Sequence, residues 1–123
     1  MAMQDWVMKE RIAADVKLAE VYAQSLTNEA QIDDWAQQVI LPQAYRLVVV
    51  DPQGKLLAAS QFDPQEQERI SAWIQQISRK ARFSTDHAFT TVSPTDEIWL
   101  HIWTVAPAGV KLVLQRPLYT AHT

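Results

Sequence analysis

The spacing of apolar and polar residues predicts three helices and five strands, in the order α-α-β-β-α-β-β-β. Residues 4–26 contain no proline or glycine and are rich in Ala, Lys, Glu and Leu, which predicts one long helix. Its apolar positions recur every three or four residues and form a heptad-like stripe, at Ile12, Val16, Ala19, Ala23 and Leu26. This stripe fits either a helix packed on its own domain's core or a dimer interface through Ile12, Val16, Ala19 and Ala23.

Two further helices are marked by their capping residues. Asn28 is placed to cap a second helix that ends before Pro42, because proline disfavours helical backbone at the preceding residue. Asp63 and Pro64 predict the start of a third helix, with Asp63 as its N-cap and Glu66 in position for a capping box. The buried stripe of this third helix is predicted to consist of Ile70, Trp73, Ile74 and Ile77.

Residues 45–60 predict a β-hairpin, since two β-prone runs flank a turn at residues 51–54. In that turn Pro52 presets φ, and Gly54 can adopt the positive φ that few other residues tolerate. Three more strands are predicted in residues 83–92, 97–105 and 110–115. The whole pattern predicts an α+β domain over residues 4–119, with a five-stranded, mostly antiparallel sheet and helices packed on it.

The strand at residues 97–105 has two different faces, because successive side chains of a strand point in opposite directions. One face is aliphatic and is expected to pack against the first helix, through Ile98, Leu100 and Ile102. The opposite face is polar and aromatic, and it consists of Trp99, His101 and Trp103. This second row fits either a second small core or a surface that binds a ligand or a partner.

The amino-acid composition argues against several classes of function. The 123 residues include 48% hydrophobic and 20% charged residues, and 11 basic against 14 acidic residues give a net charge of −3. Such a balance does not favour nucleic-acid binding. The chain has no cysteine, which excludes thiolate metal sites and favours an oxidising compartment such as the periplasm. No apolar run approaches the ~20 residues that span a bilayer.

The candidate reactive groups do not form a recognisable catalytic site. The sequence contains no nucleophile elbow and no phosphate loop, and it has only two glycines. His87 and His101 are expected to be cross-strand neighbours, which leaves a paired-histidine metal site or pH-responsive pair as a minor alternative. Acidic residues such as Asp15 and Glu20 are assigned to solvated helix surfaces. We therefore predict no enzyme, no catalytic residue, no cofactor and no bound metal.

Three cations cluster near the end of the third helix, at Arg79, Lys80 and Arg82. Cations at this end complement the helix dipole, which is sufficient to explain them. The alternative is that the three residues form a contact surface for a ligand or partner. Together with Trp99, His101 and Trp103, they are the binding residues that the sequence offers.

The order of elements, the Leu47–Ser60 hairpin with its Asp51-Pro52-Gln53-Gly54 turn, and the closing Arg116-Pro117-Leu118 carry a family resemblance. They resemble the periplasmic PAS-like (PDC-type) sensor domains of bacterial membrane histidine kinases. A closer likeness is to the Cpx envelope-stress type, in which a Trp-containing helix leads through a proline link to a similar hairpin. Here that helix contains Trp35 and the link contains Pro42.

This resemblance implies a periplasmic input domain of a membrane-tethered, homodimeric two-component kinase. Such a domain has no catalysis of its own and senses envelope stress or a periplasmic accessory protein or peptide. Two alternatives remain: a roadblock or profilin-like interaction module, and a small-molecule-binding PAS-like domain. The roadblock class usually ends in a further helix, for which Pro117 and the short tail leave no room.

Overall fold

The computed structural model describes the backbone of residues 2–60 and 64–119, and the side chains of residues 9–60, 65–66 and 68–118. It has three helices, α1 (Ala2–Gln24), α2 (Ile32–Gln38) and α3 (Pro64–Phe83), with a 3-10 turn (Glu29–Gln31) before α2. Its five strands are β1 (Arg46–Val50), β2 (Leu56–Ser60), β3 (Ala88–Val92), β4 (Ile98–Val105) and β5 (Lys111–Tyr119). The predicted α+β fold with one five-stranded antiparallel sheet is confirmed.

The last strand of the chain lies at the centre of the sheet. The strand order is β2-β1-β5-β4-β3, so that β5 pairs with β1 on one side and with β4 on the other. In register, Val113 of β5 lies between Val48 of β1 and Trp103 of β4. The sheet is therefore complete only when residues far apart in the sequence have come together.

Helices α1 and α2 cover one face of the sheet. Ala19, Ala23 and Leu26 of this layer are buried against aliphatic side chains of β1, β4 and β5. The sheet contributes mainly Leu47, Val49, Leu100, Ile102, Leu112 and Leu114. The expectation that the aliphatic row of β4 packs against the first helix is thus confirmed for Leu100 and Ile102, whereas Ile98 is only half-buried and lies outside this core.

Helix α3 covers the other face and forms a second core. All four residues of its predicted stripe are buried there: Ile70, Trp73, Ile74 and Ile77. They pack on the alternate residues of the same strands, namely Val48, Val50, Trp99, Trp103 and Val113. The domain is therefore a three-layer sandwich in which the sheet is buried on both faces.

The turn prediction agrees with the structure, whereas the predicted cap Asn28 serves the 3-10 turn and not α2 itself. The Asn28 side chain accepts a hydrogen bond from the Ala30 backbone N–H at 3.0 Å, and the residue that precedes α2, Gln31, makes no side-chain capping bond. In the hairpin turn, Asp51 Oδ1 accepts from the N–H groups of Gln53 and Lys55, and Gly54 has φ +88°. The predicted N-cap Asp63 lies outside the described residues.

Two element boundaries differ from the sequence prediction. Helix α3 continues through Phe83, and β3 begins only at Ala88, because the Ser84 N–H still bonds to the Lys80 carbonyl. Strand β5 does not end at Gln115 but continues to Tyr119, past Pro117. Pro117 lies opposite Trp99, beside an irregularity in the β4–β5 register, where a missing N–H is tolerated.

Leu100→Ala tests whether the aliphatic row of β4 is core. Leu100 is buried between the sheet and α1, so its truncation should lower the free energy of unfolding by about 2–5 kcal/mol. Val105→Ala on the same strand is the matched control, because Val105 is exposed and should cost less than about 0.5 kcal/mol. Denaturant melts of both variants measure the difference, and equal small losses would contradict the assignment.

Candidate functional site

A polar clamp joins the first helix of the domain to its last strand. Tyr45, directly before β1, donates a hydrogen bond from its hydroxyl to Asp15 Oδ1 of α1 at 2.8 Å. The same hydroxyl accepts a hydrogen bond from Arg116 Nη1 of β5 at 2.8 Å. Arg116 Nη1 also lies 3.5 Å from Asp15 Oδ1, which completes an ion pair. We call these three residues, Asp15, Tyr45 and Arg116, the terminal clamp.

The electrostatics of the terminal clamp keep Tyr45 in the form that bridges its partners. Burial, followed by the hydrogen bond to the Asp15 carboxylate, raises the pKa of Tyr45 above its ordinary value. The phenol therefore remains protonated and able to donate at neutral pH. Asp15 itself is only 3% exposed, so its charge depends on these two partners for compensation.

The terminal clamp lies at the end of the sheet where α1 enters and β5 leaves. At the opposite end, Ala108 in the β4–β5 turn donates its N–H to the Leu26 carbonyl, just after α1. Helix α1 therefore runs antiparallel to β5. Its residues before Asp15 and the β5 residues after Arg116 extend from the same end of the domain. A change in how α1 packs on β5 would displace both of these segments together.

The assignment of Asp15 to a solvated surface is wrong. Asp15 follows Ile12 by three residues and precedes Ala19 by four, so it falls on the buried stripe of α1. That spacing was the available signal in the sequence. Its partner Arg116 lies about a hundred positions away, and only the register of the sheet brings the two residues together.

The stripe on α1 is occupied within the monomer. Ala19 and Ala23 are 0% and 3% exposed, and they contact the sheet, while Ile12 and Val16 are half-buried against the same core. The alternative in which the stripe is a core face is therefore the one that the structure supports. A dimer interface through Ala19 and Ala23 is not compatible with this packing, because the sheet already covers both residues.

The three cations at the end of α3 do not form one surface. Arg79 is exposed on the side of α3 near β2, and Arg82 lies against Gly54 of the hairpin turn. Lys80 is on the other side, where its Nζ donates to the Thr90 carbonyl of β3 at 3.0 Å. A fourth cation that the sequence did not suggest, Lys111 of β5, donates to the Ala81 carbonyl at the helix end at 2.7 Å.

The aromatic row of β4 is buried beneath α3 rather than open to a partner. Trp99, His101 and Trp103 are 7%, 0% and 8% exposed, respectively. The second-core alternative is therefore the one that the structure supports, and a macromolecule cannot contact this row while α3 is in place. Trp99 and Trp73 meet edge to face, with ring centroids 5.3 Å apart, as aromatic side chains in a core often do.

His101 takes part in a buried hydrogen-bond chain. Trp73 Nε1 donates to Thr91 Oγ1 at 2.8 Å, and Thr91 Oγ1 lies 2.6 Å from His101 Nε2. Burial, reinforced by the nearby charge of Lys80, lowers the pKa of His101 to about 3. His101 is thus neutral throughout the physiological range and does not act as a pH switch there.

Several buried polar atoms of His101 and its neighbours have no hydrogen-bond partner among the described protein atoms. They are His101 Nδ1, Trp99 Nε1 and both amide atoms of Gln115. Gln115 and His101 lie side by side in the β4–β5 register, and Arg46 lies on the other side of Gln115. These residues form a polar row across the interior of the sheet, on the face that α3 covers.

The described residues provide no metal centre. His87 lies opposite Trp103, stacks on its ring and bonds to its backbone, so it does not pair with His101 as expected. Phe89 occupies that neighbouring position instead. Within the described part of the chain, no three His, Asp or Glu side chains converge as metal ligands would.

Comparisons with protein-family models, with curated proteins and with solved structures found no match to this chain. Among the described residues, no helix combines the length and the apolarity that a membrane crossing requires.

A double-mutant cycle measures the coupling in the terminal clamp. Arg116→Met should lower the free energy of unfolding by about 2–4 kcal/mol, because it leaves the buried Asp15 carboxylate without its cation. Asp15→Asn combined with Arg116→Met should cost less than the sum of the single changes, by about 1 kcal/mol or more. Denaturant melts provide the values, with Arg69→Met on the exposed part of α3 as the control. Strict additivity would show that the two residues are not coupled.

The buried His101 predicts a specific loss of stability in acid. The unfolded chain takes up a proton near pH 6.5, whereas the folded chain does so only near pH 3, so stability falls as the pH is lowered between these values. Between neutral pH and about pH 4.5, His101 should account for about 2–3 kcal/mol of this loss. His101→Gln removes the titrating group, and its acid loss should be smaller by that amount in denaturant melts. The same acid dependence in both proteins would contradict the assignment.

Proposed function

We propose that this chain is the extracytoplasmic input domain of a membrane-bound, homodimeric histidine kinase of a two-component system. The domain has no catalysis of its own and responds to envelope stress through a protein or peptide partner. The observation that carries the proposal is the terminal clamp, because it couples the first and last elements of the fold where both leave the domain. In a domain inserted between two membrane segments, this coupling would pass a change in packing to both segments together.

The clamp provides a physical means of signalling. With the clamp closed, α1 and β5 are held by two hydrogen bonds and one ion pair around a single phenol. With the clamp open, Asp15 must gain access to water, so α1 must shift on the sheet. A partner can change the balance between these arrangements only to the extent that it binds one of them more tightly.

The proposed homodimer must use a surface other than the buried stripe of α1. Ala19 and Ala23 are covered by the sheet, whereas α1 begins at Ala2, about 20 Å before Asp15 along the helix axis. The part of α1 that extends beyond the clamp is the element we assign to the dimer. The dimer contact and the clamp then lie on one continuous helix.

A chimaeric kinase tests this function. The chain is placed between the two membrane segments of a reporter histidine kinase, and autophosphorylation is measured in membrane vesicles. Arg116→Met, which opens the clamp, should change the basal autophosphorylation by at least about fivefold. Arg69→Met, which removes a similar charge from the surface of α3, should leave it unchanged.

A second control separates signalling from stability. Leu100→Ala weakens the core but leaves all three clamp residues in place, and it should retain the wild-type output as long as it is folded. An Arg116→Met chimaera that folds and has wild-type output would refute the role of the clamp. Equal changes in Arg116→Met and Leu100→Ala would attribute the effect to loss of stability instead, and would also refute it.

A further inference from the structure

The strand β2 presents a free edge at the bottom of a groove. It is the outermost strand on its side of the sheet, so every second residue of β2 directs its backbone N–H and C=O away from β1. The groove along this edge has a volume of about 830 Å³ and follows residues 54–59. Five strand residues span about 17 Å, which is long enough to pair with a short extended peptide.

Both neighbouring helices extend past this edge and form the walls of the groove. The α3 wall consists of positions spaced by three or four residues, at Ser71, Ile74, Gln75, Ser78 and Arg79. The α2 wall consists of Asp33, Ala36 and Gln37. Between the walls, β2 carries the small side chains of Ala58 and Ala59, which leaves room for larger side chains of an added strand on both faces.

The charges of the groove lie at one end. Arg82 packs on Gly54, so the last turns of α3 and the start of β2 lie together, with Lys55 and Arg79 lining this end. Lys55 and Arg79 form no ion pair with any residue whose side chain the structure describes. Among the groove-lining residues that the structure describes, Asp33 is the one acidic residue, and it is outnumbered by the cations Lys55 and Arg79.

We propose that this groove, which we call the β2 groove, binds an extended peptide that adds to β2 as an antiparallel strand. Antiparallel pairing is the more stable arrangement, and it places the C-terminal end of the peptide beside Leu56. The peptide therefore carries acidic residues at its C-terminal end, next to Lys55 and Arg79, and β-branched residues before them. The proposal names a partner class for the proposed input domain, and its test uses the chain alone.

A second copy of the chain fits the β2 groove less well than a peptide. Antiparallel pairing of β2 with its own copy follows a two-fold axis perpendicular to the sheet, so α3 would approach α3 and α2 would approach α2. Because both helices extend past the edge of β2, the helices of two copies would meet before the two edges came within pairing distance.

Binding of a synthetic peptide tests the β2 groove directly. The probe is a dye-labelled peptide, Thr-Val-Thr-Val-Thr-Glu-Glu, and its binding to the wild-type chain is followed by fluorescence anisotropy. We expect saturable binding, with amide chemical-shift changes in the NMR spectrum concentrated at residues 54–59 and in the second half of α3. Two control peptides replace Glu-Glu with Lys-Lys, or carry N-methyl groups on alternate backbone amides. Both should bind much more weakly.

Reversing the charge of one groove residue tests most directly whether the cations of the groove bind the acidic end of the peptide. Arg79→Glu should weaken binding of the Glu-Glu peptide by about tenfold and strengthen binding of the Lys-Lys peptide. Arg69→Glu makes the same change on the same helix outside the groove, and it should alter neither affinity by more than about twofold. Gln75→Trp should block the groove for both peptides, since residue 75 is exposed on the α3 wall.

Three results would overturn the proposal. The first is no saturation of the Glu-Glu peptide up to about 1 mM. The second is equal binding of the N-methylated peptide, or shift changes centred away from β2. The third is self-association of the chain that Gln75→Trp abolishes, which would assign the edge to a second copy. Loss of kinase output in the clamp chimaera bears on none of these, so the two proposals fail separately.

Discussion

The burial of β5 on both faces is the constraint on which the rest of the structure depends. Leu112 and Leu114 point into the core under α1, while Val113 and Gln115 point into the core under α3, and none of the four is more than 1% exposed. Each side of β5 must also pair with another strand. Because β1 precedes β5 by about sixty residues, neither core can close before β5 has paired with β1, and such non-local contacts favour slow folding.

This constraint explains why polar groups within the sheet are costly. Gln115 lies in the central strand, and His101 lies beside it in β4, so neither side chain can turn toward water. An apolar residue at either position would avoid leaving buried donors and acceptors unpaired. Natural proteins tolerate such losses chiefly where the polar groups serve specificity or function. Packing alone does not require polar residues in the row from Arg46 through Gln115 to His101.

Local sequence features were sufficient to predict most elements of this fold. The hairpin followed from Asp51 and Gly54, the start of α3 from Pro64, and its buried face from four correctly spaced apolar residues. The predictions that were wrong concern features that depend on contacts across the sheet. The last strand was predicted to end at Gln115, but it continues past Pro117, which the irregular β4–β5 register accommodates. The Asp15–Arg116 pair had no local signal beyond the position of Asp15 on the apolar stripe of α1.

The candidate sites were harder to predict for the same reason. Arg79, Lys80 and Arg82 are close in sequence, yet a helix turns by about 100° per residue, so it directs Arg79 toward β2 and Lys80 toward β3. The aromatic row of β4 alternated clearly, but alternation cannot distinguish an open face from one that a helix covers. The β2 groove depends on how far α2 and α3 extend past the sheet, which is a property of their packing rather than of any motif.

The proposed binding edge and the terminal clamp are connected through one strand. Strand β1 pairs with β2 on one side and with β5 on the other, and Tyr45 of the clamp directly precedes it. An added strand would restrict the twist of β2 and therefore of β1. Because Tyr45 directly precedes β1, this restriction would change the position of Tyr45 relative to Asp15 and Arg116. A single hydroxyl makes both hydrogen bonds of the clamp, so a small displacement of Tyr45 weakens both at once. In the proposed mechanism, a partner that binds the bridged and the unbridged clamp with different affinities would shift the balance between them.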